Sequence, residues 1–191
     1  MNRGRMKTAQ LGALGSVQAG PALLAALYAF SAEFPDPGIE PVTFVGLFDS
    51  VSYNEEEFER LLWAQLQQLH ELDREHHGWD AAVSCDPRDA NFSFSVGGRG
   101  MFVVGLHPHA SRISRRAPSD TLVFNFHSQF EALRESGKYE SMQKAVRRRD
   151  IALQGSINPV LARFGEASEA LQYSGRAAPA KCPFRAGGRV R

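Results

Sequence analysis

The sequence predicts an α+β fold, in which a small, mostly antiparallel sheet is flanked by helices in a single domain of residues 1–191. Three observations predict it. Four segments with strand patterns lie in the middle of the chain. Helical patterns lie mainly before and after them, unlike the regular alternation of βαβ units. A chain of 191 residues with 43% hydrophobic residues, among them 13 Phe, also suits one domain with a substantial core.

Two helices are predicted in the first half of the chain. Pro21–Ser31 is apolar and favours a helix with proline at its first position. Asn54–Asp73 has a stronger pattern, because Asn54 can cap the helix with Glu57 as capping-box partner, and leucines recur on one face. The N-terminal segment MNRGRMK has no such pattern, so it is predicted to be loose, like the C-terminal tail 185–191.

The predicted strands are apolar on one or both faces. NFSFSV alternates strictly, and the GGRG that follows indicates a four-residue turn into a partner strand, which makes a hairpin. VTFVGLF is apolar on both faces, as is typical of a central strand. The predicted strands are Val42–Phe48, Asn91–Val96, Gly100–Leu106 and Thr121–Phe126.

Further helices are predicted after the last strand. Ser128 and Glu131 form a second capping-box pattern, and Gly137 would end the helix that they begin. Tyr139–Gln154 predicts another helix, again followed by glycine. The remaining predictions are a short helix that starts at Asn158-Pro159 and an irregular chain from Tyr173 onward.

Charge is distributed unevenly between the two parts of the chain. Residues 1–109 carry 7 basic and 14 acidic side chains, whereas residues 110–191 carry 15 and 7. The favoured interpretation is that the two parts attract each other within one globule. A binding surface for an anionic ligand is the alternative. The arginines lack interleaved aromatic residues, so no nucleic-acid partner is expected.

Several classes of protein are not indicated by the sequence. It has no apolar run of about 18 residues, so no membrane partner is expected. Its two cysteines, Cys85 and Cys182, have neither metal-site spacing nor the number that a disulfide framework needs. A cytoplasmic location is therefore predicted, in preference to a secretory signal in the apolar N-terminal segment. The phosphate-loop, dinucleotide-binding and zinc-protease motifs are absent from the sequence.

The segment GLHPHASRISRR, residues 105–116, joins two predicted strands and is rich in donors and positive charge. His107 follows the end of a strand and Pro108 restricts the backbone there, so the imidazole is placed to bind a metal or haem iron, or to move a proton. The arginines that follow suit carboxylates or phosphates. A structural alternative stays open, in which His107 caps the strand and the arginines pair with the acidic part of the chain.

Three other segments carry candidate groups. His127 also follows a predicted strand, and if the two strands are neighbours, His107 and His127 would face one pocket; alternatively, His127 bonds to the backbone at the helix start. QYSGR places Tyr173 and Arg176 in a segment without core periodicity, which favours a functional loop. Cys182 in CPF is interpreted as a buried thiol rather than a haem thiolate.

These motifs together resemble the YqcI/YcgG family over about residues 42–184. The resemblance rests on an ordered series of segments: GLHPHASRISRR, LVFNFHSQFEALR, RRRDIALQGSINPVLARFGEASEALQYSGR and CPF. Family members of known activity are haem-dependent N-oxygenases, which hydroxylate a guanidine nitrogen of arginine or an arginine-like amino acid. The resemblance therefore implies haem b, a small guanidine or amino-acid substrate and an electron donor that the sequence does not specify.

The resemblance implies a haem pocket with a histidine on the iron and arginines near the propionates, but it does not identify the ligand, which is predicted from the strand end and Pro108. His107 is the predicted iron ligand, with His127 as the alternative. The groups predicted to bind the cofactor are His107, Arg112, Arg116, His127 and Arg176, and the predicted catalytic residues are Glu131 and Tyr173, with Glu169 as a further carboxylate for a guanidinium. Residues 1–41 depart from the family pattern, because they lack its Phe-Pro-Cys element. The alternative function is thus a non-enzymatic haem- or anion-binding module that has lost part of the pocket.

Overall fold

A computed structural model describes residues 4–158, 167–176 and 182–186. Within these ranges, one five-stranded sheet with the order β1-β2-β5-β4-β3 is flanked by helices. The strands are β1 (Met6–Leu11), β2 (Thr43–Phe48), β3 (Phe94–Val96), β4 (Arg99–Leu106) and β5 (Thr121–Phe126). The helices are α1 (Ala19–Glu33), α2 (Glu55–Asp73), α3 (His127–Glu135), α4 (Tyr139–Gln154) and the four-residue α5 (Ala170–Tyr173). The α+β fold in a single domain is confirmed.

Residues 6–11 form an edge strand, so the end of the segment MNRGRMK is not loose as predicted, whereas residues 1–3 and most of the tail 185–191 lie outside the described residues. β1 pairs with β2 in parallel, with Met6 opposite Thr43 and Leu11 opposite Phe48. Parallel strands need a crossover connection, and α1 provides it. Every other pairing among the five strands is antiparallel, so the sheet is mostly antiparallel, as predicted.

The β3–β4 hairpin is confirmed, but its turn is shorter than predicted. Val96 pairs with Arg99, so the turn consists of Gly97 and Gly98, whose φ angles are +62° and +70°. Two consecutive positive φ angles are typical of the tight turn that matches the twist of a hairpin, and glycine adopts them without strain. Arg99 therefore belongs to β4, and β3 begins at Phe94 instead of residue 91.

The core lies between the sheet and helices α1 and α2. Its side chains include Leu23 and Leu27 of α1, Leu62 and Leu66 of α2, and Phe124 of β5, all of them buried. The predicted cap of α2 is confirmed, because Asn54 Oδ1 accepts a hydrogen bond of 2.8 Å from the Glu57 N–H. The Glu57 carboxylate bonds to the N–H of Tyr53 rather than to that of Asn54.

Helices α3 and α4 cover part of the opposite face of the sheet. The predicted box at Ser128 is wrong, because α3 begins at His127 and Ser128 is an exposed residue inside the helix, with no side-chain cap. Gly137 and Gly155 follow the two helices with φ of +69° and +74°, as expected for C-terminal caps. Asp150 is the buried residue of α4.

The last two predicted elements, and the length and apolar composition of the helices, remain to be compared with the structure. The short helix predicted from Asn158-Pro159 lies mostly outside the described residues, whereas the end of α5 at Tyr173 agrees with the irregular chain predicted from there. In the ranges that the structure describes, the helices lack the combination of length and apolar composition that a membrane span requires.

Candidate functional site

A cavity of about 590 Å³ lies between the sheet and helices α3 and α4. Strand residues alternate between the two faces of a sheet, so the side chains of β4 that face this cavity are those that do not enter the core. Its walls are predominantly apolar. They include Phe102 and Val104 of β4, Phe130 and Leu133 of α3, and Met142 and Val146 of α4. A cavity of this size and composition is typical of small-molecule sites.

The side-chain amides of two residues in the cavity wall form hydrogen bonds within the protein. Gln129 donates to the carbonyls of Gly38 and Glu40 at 3.2 and 2.6 Å, and its Oε1 accepts from the N–H of Val42 at 3.2 Å. Asn125 Oδ1 accepts from the hydroxyl of Thr43 at 2.9 Å. Gln129 therefore holds the segment before β2 against α3, and Asn125 joins the start of β2 to β5.

A buried ion pair forms one end of the cavity wall. Asp150 accepts from the guanidinium of Arg112 at 2.6 Å, the N–H of Asn158 at 2.6 Å and the hydroxyl of Ser114 at 3.1 Å. Arg112 also donates to the hydroxyl of Ser156 at 2.9 Å. Asp150 thus joins the loop after β4 to α4 and to the chain that follows it.

The ion pair of Arg112 and Asp150 should make the free energy of unfolding depend on pH. Burial alone would raise the pKa of Asp150, but hydrogen bonds from Arg112, Asn158 and Ser114 outweigh burial and lower it. A depressed carboxyl pKa contributes stability that is present above the ordinary value of about 3.9 and is lost as the pH falls through the folded value. The difference in unfolding free energy between wild type and Asp150→Asn, measured with urea, should therefore shrink as the pH falls from about 5 to about 3. A difference that stays constant over that interval would contradict this assignment.

The other arginines of the loop lie in different environments. Arg115 is buried and donates to the carbonyls of Gly105 and Gln172 at 3.1 and 3.0 Å, and burial lowers its pKa to about 10. Arg116 is exposed and donates to the carbonyl of Ala110 at 2.8 Å. Arg112 and Arg116, both predicted to bind the cofactor, therefore lie apart, because one enters the protein and the other faces solvent.

His107 lies on the core side of the sheet. Its ring is 1% exposed and stacks on Phe58 of α2, with 4.4 Å between ring centroids and 17° between planes. Burial lowers the pKa of His107, opposed in part by the carboxylates of Asp120 and Glu55. Its Nδ1 has no hydrogen-bond partner among the described residues, and His107 is not in the cavity wall. The predicted iron ligand and the cavity are thus on opposite faces of the sheet.

His127 lies at the other end of the sheet from His107, so the two histidines do not face one pocket. β4 and β5 are indeed neighbours, but they are antiparallel: Leu106 pairs with Thr121, and Met101 with Phe126. The ends of two antiparallel strands point in opposite directions. His107 and His127 are therefore separated by the length of the paired segment, roughly 17–20 Å.

Two predicted carboxylates flank His127 instead. Its Nε2 lies 3.6 Å from Glu131 Oε1, and its Nδ1 lies 3.6 Å from Glu169 Oε1. Glu131 is 44% exposed and also faces Arg134 at 3.6 Å, whereas Glu169 is 2% exposed. The structure thus brings together His127, Glu131 and Glu169 but keeps them apart from the arginine-rich loop.

Tyr173 is an anchor within the core. Its hydroxyl accepts from the N–H of Phe94 at 3.0 Å and donates to the carbonyl of Met101 at 3.3 Å, so it bridges the start of the β3–β4 hairpin. The side chain is fully buried. Burial first, and then the negative charge of Glu169, raise the pKa of Tyr173 well above its ordinary value. The hydroxyl therefore stays protonated over the physiological pH range.

Arg176 binds the N-terminal turns of α2. Its guanidinium contacts Glu59 at 2.9 Å and Glu56 at 2.6 Å, and the hydroxyl of Ser174 donates to Glu59 at 2.9 Å. These contacts link the basic part of the chain to the acidic part, as the charge distribution favoured. In the described structure, the predicted cofactor contact of Arg176 is thus occupied by acids of the protein.

The resemblance implies a haem as cofactor, and two places can be compared for it: the surroundings of His107 and the cavity. At His107 the surrounding residues do not fit a haem, because Phe58 covers the ring. In the cavity, the apolar walls match the apolar ring of a haem and Arg149 can meet its acid groups. The described wall contains neither histidine nor cysteine, and Met142 supplies its one sulfur. Cys182 packs against the core, where burial raises the pKa of its thiol to about 11.

The sequence interpretation missed most of the cavity wall. Phe102, Phe130 and Met142 were assigned to elements but not to a site. The available signal was that β4 is apolar on both faces, although only one face can meet α1 and α2. The arginine run at 147–149 was a second signal, because Arg149 and Asp150 lie in the described wall, whereas Arg148 does not.

Comparison with known proteins gives one match. The model of the YqcI/YcgG family matches residues 1–185, so the match includes the N-terminal residues that lack the Phe-Pro-Cys element. No curated protein and no solved structure matches the chain. A family match over nearly the whole length, together with the ordered motifs in and around the cavity, establishes that this chain belongs to the YqcI/YcgG family.

Proposed function

We propose that this chain is a haem-dependent N-oxygenase, which hydroxylates a guanidine or amine nitrogen of an arginine-like amino acid in the cavity between the sheet and helices α3 and α4. The observation that carries the proposal is an apolar cavity of about 590 Å³ in a member of the YqcI/YcgG family. Its volume lies within the range of about 300–1,000 Å³ that small ligands and cofactors occupy.

The cavity wall would hold the cofactor by two kinds of contact. Phe102, Val104 and Leu133 exclude water and contact a flat apolar ring through dispersion. Arg149, which forms no ion pair with the described residues, is available to bind a carboxylate by charge-assisted hydrogen bonds. A bound haem would supply the oxidising chemistry that amino-acid side chains lack.

Asp150 is the residue of the described wall that suits a cationic substrate. Its Oδ2 is occupied by Arg112 and Asn158, but the described contact of its Oδ1 is a single hydrogen bond from Ser114. A carboxylate oxygen can accept a second hydrogen bond. We therefore assign to Asp150 Oδ1 the recognition of an N–H group of the substrate. Glu131 and Glu169, the carboxylates predicted for this role, are not in the described wall.

Titration of the apoprotein with hemin tests the site. Wild type is expected to give a saturable Soret shift at one haem per chain. Val104→Phe fills the cavity, and it should weaken binding by about tenfold or more, since overpacking costs about 1–3 kcal/mol and 1.4 kcal/mol is a factor of ten. Val45→Phe is the matched control. Val45 lies on the same face of the sheet, on β2, and is not in the described wall.

The outcomes of this titration separate the candidates. Absence of a saturable shift in wild type would exclude haem. Equal binding by wild type and Val104→Phe would place the haem outside the cavity. Protein with bound haem is then incubated with arginine, oxygen and a chemical reductant, and N-hydroxylated product is sought by mass spectrometry. Haem binding without product would favour the alternative function, a non-enzymatic haem-binding module.

His107→Ala tests the predicted iron ligand in the same titration. If His107 binds iron, the variant loses the native spectrum and added imidazole partly restores it. The stacking of His107 on Phe58, on the core side of the sheet, favours the opposite result, an unchanged Soret band. His127→Ala serves as the parallel variant for the alternative ligand. Loss of the band in that variant alone would assign the iron to His127.

A further inference from the structure

Helix α4 turns one face to the cavity and the opposite face away from it. The cavity face consists of side chains three or four positions apart, which lie on one side of a helix. These side chains are Met142, Val146, Arg149 and Leu153. A helix has about 3.6 residues per turn, so positions 144, 147, 148 and 151 lie roughly half a turn from them. The outer face of α4 therefore consists of Lys144, Arg147, Arg148 and Ile151.

The outer face of α4 is strongly basic. Residues 141–149 contain four basic and no acidic side chains. Asp150, the next residue, is bound to Arg112 inside the protein and does not neutralise the outer face. Lys144 and Arg148 are exposed, and neither forms an ion pair with the described residues. Their charges are therefore available to a partner.

Exposed apolar side chains lie at the C-terminal end of the same face. Ile151 is 47% exposed, and Ile157, just after the helix, is 42% exposed. Ile113 is 45% exposed and lies beside this end of α4, because its N–H donates to the side chain of Gln154 at 2.6 Å. Apolar surface next to charged side chains is typical of the interfaces that proteins form with each other.

We propose that the outer face of α4 binds an acidic electron-transfer protein, an inference that rests on the proposed function. Hydroxylation of one nitrogen by oxygen consumes two electrons and two protons and releases one water. The reduced partner supplies the electrons and is itself oxidised. A partner on the outer face is separated from the cavity by a single helix, whose diameter with side chains is about 10–12 Å. The basic face is thus placed where electrons have a short path to the cavity.

The distribution of side chains on α4 favours an acidic protein over an anionic lipid surface. A helix that binds in the interface of a membrane buries a wide apolar face in the lipid. The wide apolar face of α4 is turned to the cavity instead, and the outer face is mainly cationic. Complementary charge speeds the encounter of two proteins and fixes their orientation. These properties suit an electron donor, which binds briefly and leaves once it is oxidised.

Isothermal titration calorimetry of the apoprotein tests this surface with two acidic probes. One is an oxidised plant-type ferredoxin, which carries an iron–sulfur cluster, and the other is an oxidised flavodoxin, which carries FMN. At least one should bind wild type at low ionic strength, and the affinity should fall as salt screens the charges. Arg148→Glu should weaken binding by about tenfold or more, because it places a negative charge opposite an acidic partner. Ile151→Ser should weaken binding without changing its salt dependence.

Arg60→Glu is the matched control, because it changes the net charge by the same amount on a different helix. Arg60 belongs to α2, which packs on the other face of the sheet, and its side chain is 68% exposed. This variant should bind the probe as wild type does. Equal weakening by Arg148→Glu and Arg60→Glu would mean that only net charge matters, and it would overturn the proposal.

Three other results would also overturn the docking surface. They are the absence of binding by both probes, equally tight binding of poly-glutamate, and binding of phosphatidylserine vesicles in place of the probes. Hemin titration keeps this test separate from the proposed function. A chain that binds a probe but not hemin retains the docking surface and loses the proposed function, whereas hemin binding without a probe complex removes the docking surface alone.

Discussion

Replacing Arg112 with alanine is expected to lower the free energy of unfolding by about 3–5 kcal/mol, the usual effect of removing one partner from a buried ion pair. Arg112 and Asp150 are both almost entirely buried, and the contact between them is 2.6 Å. Without the guanidinium, the carboxylate of Asp150 keeps its contacts with Ser114 and Asn158 but loses its cation. Urea unfolding at neutral pH, with linear extrapolation to water, measures the loss.

Arg148→Ala is the matched control for this prediction. Arg148 is an exposed arginine of the same helix that carries Asp150, and it forms no ion pair with the described residues. Its replacement should change the unfolding free energy by no more than about 0.5 kcal/mol. A loss below about 1 kcal/mol in Arg112→Ala, the range of surface pairs, would show that the pair is solvated in solution.

Arg112→Ala also bears on the role predicted for Arg112 as a contact of the haem propionates. In the described structure its guanidinium is used by Asp150 and Ser156. If this role is structural only, Asp150→Asn should alter haem affinity as much as Arg112→Ala does, because both disturb the same wall. If Arg112 binds a propionate directly, Arg112→Ala should have the larger effect on haem affinity.

Replacing Phe58 with alanine is expected to lower the unfolding free energy by about 3–5 kcal/mol, as for other large-to-small changes in a core. Phe58 is fully buried and stacks on His107. It packs so closely against β4 that a Cβ on Gly105 would lie 2.6 Å from its ring. The surroundings are therefore shaped to this ring, and its removal leaves a void beside a strand and a buried imidazole.

Tyr53→Ala is the control for Phe58→Ala, because Tyr53 is an aromatic residue just before α2 that is 84% exposed. Its effect should be within about 0.5 kcal/mol. Urea unfolding at neutral pH measures both variants. A loss below about 1 kcal/mol in Phe58→Ala would mean that the segment around His107 collapses into the void, and His107 would then be less rigidly held than the structure indicates.

Most of the regular elements could be predicted from local sequence patterns. The cap at Asn54 and the leucine stripe of α2, for example, depend on residues within a few turns of each other. Tyr139–Gln154 was predicted with its observed bounds, because glycine ends it. β1 was missed for a physical reason: it is an edge strand whose residues are mostly exposed or half-exposed, so it lacks a run of core residues. Its strand conformation depends on pairing with β2.

The grouping of candidate residues could not be predicted in the same way. His107 and His127 each follow a strand, as the sequence indicated, but the direction of β5 relative to β4 places them at opposite ends of the sheet. Arg112, Arg115 and Arg116 are neighbours in sequence. One forms a buried ion pair, one binds backbone carbonyls in the interior and one faces solvent.

Local patterns in the sequence thus established the α+β class, four of the five strands, the long helices and the family. Those features depend on periodicity, caps and ordered motifs within short stretches of chain. The cavity, the Arg112–Asp150 pair and the contacts of His127 with Glu131 and Glu169 come from three-dimensional packing alone. Each joins residues from different elements, and strand direction and helix placement, which no local pattern encodes, determine which side chains meet.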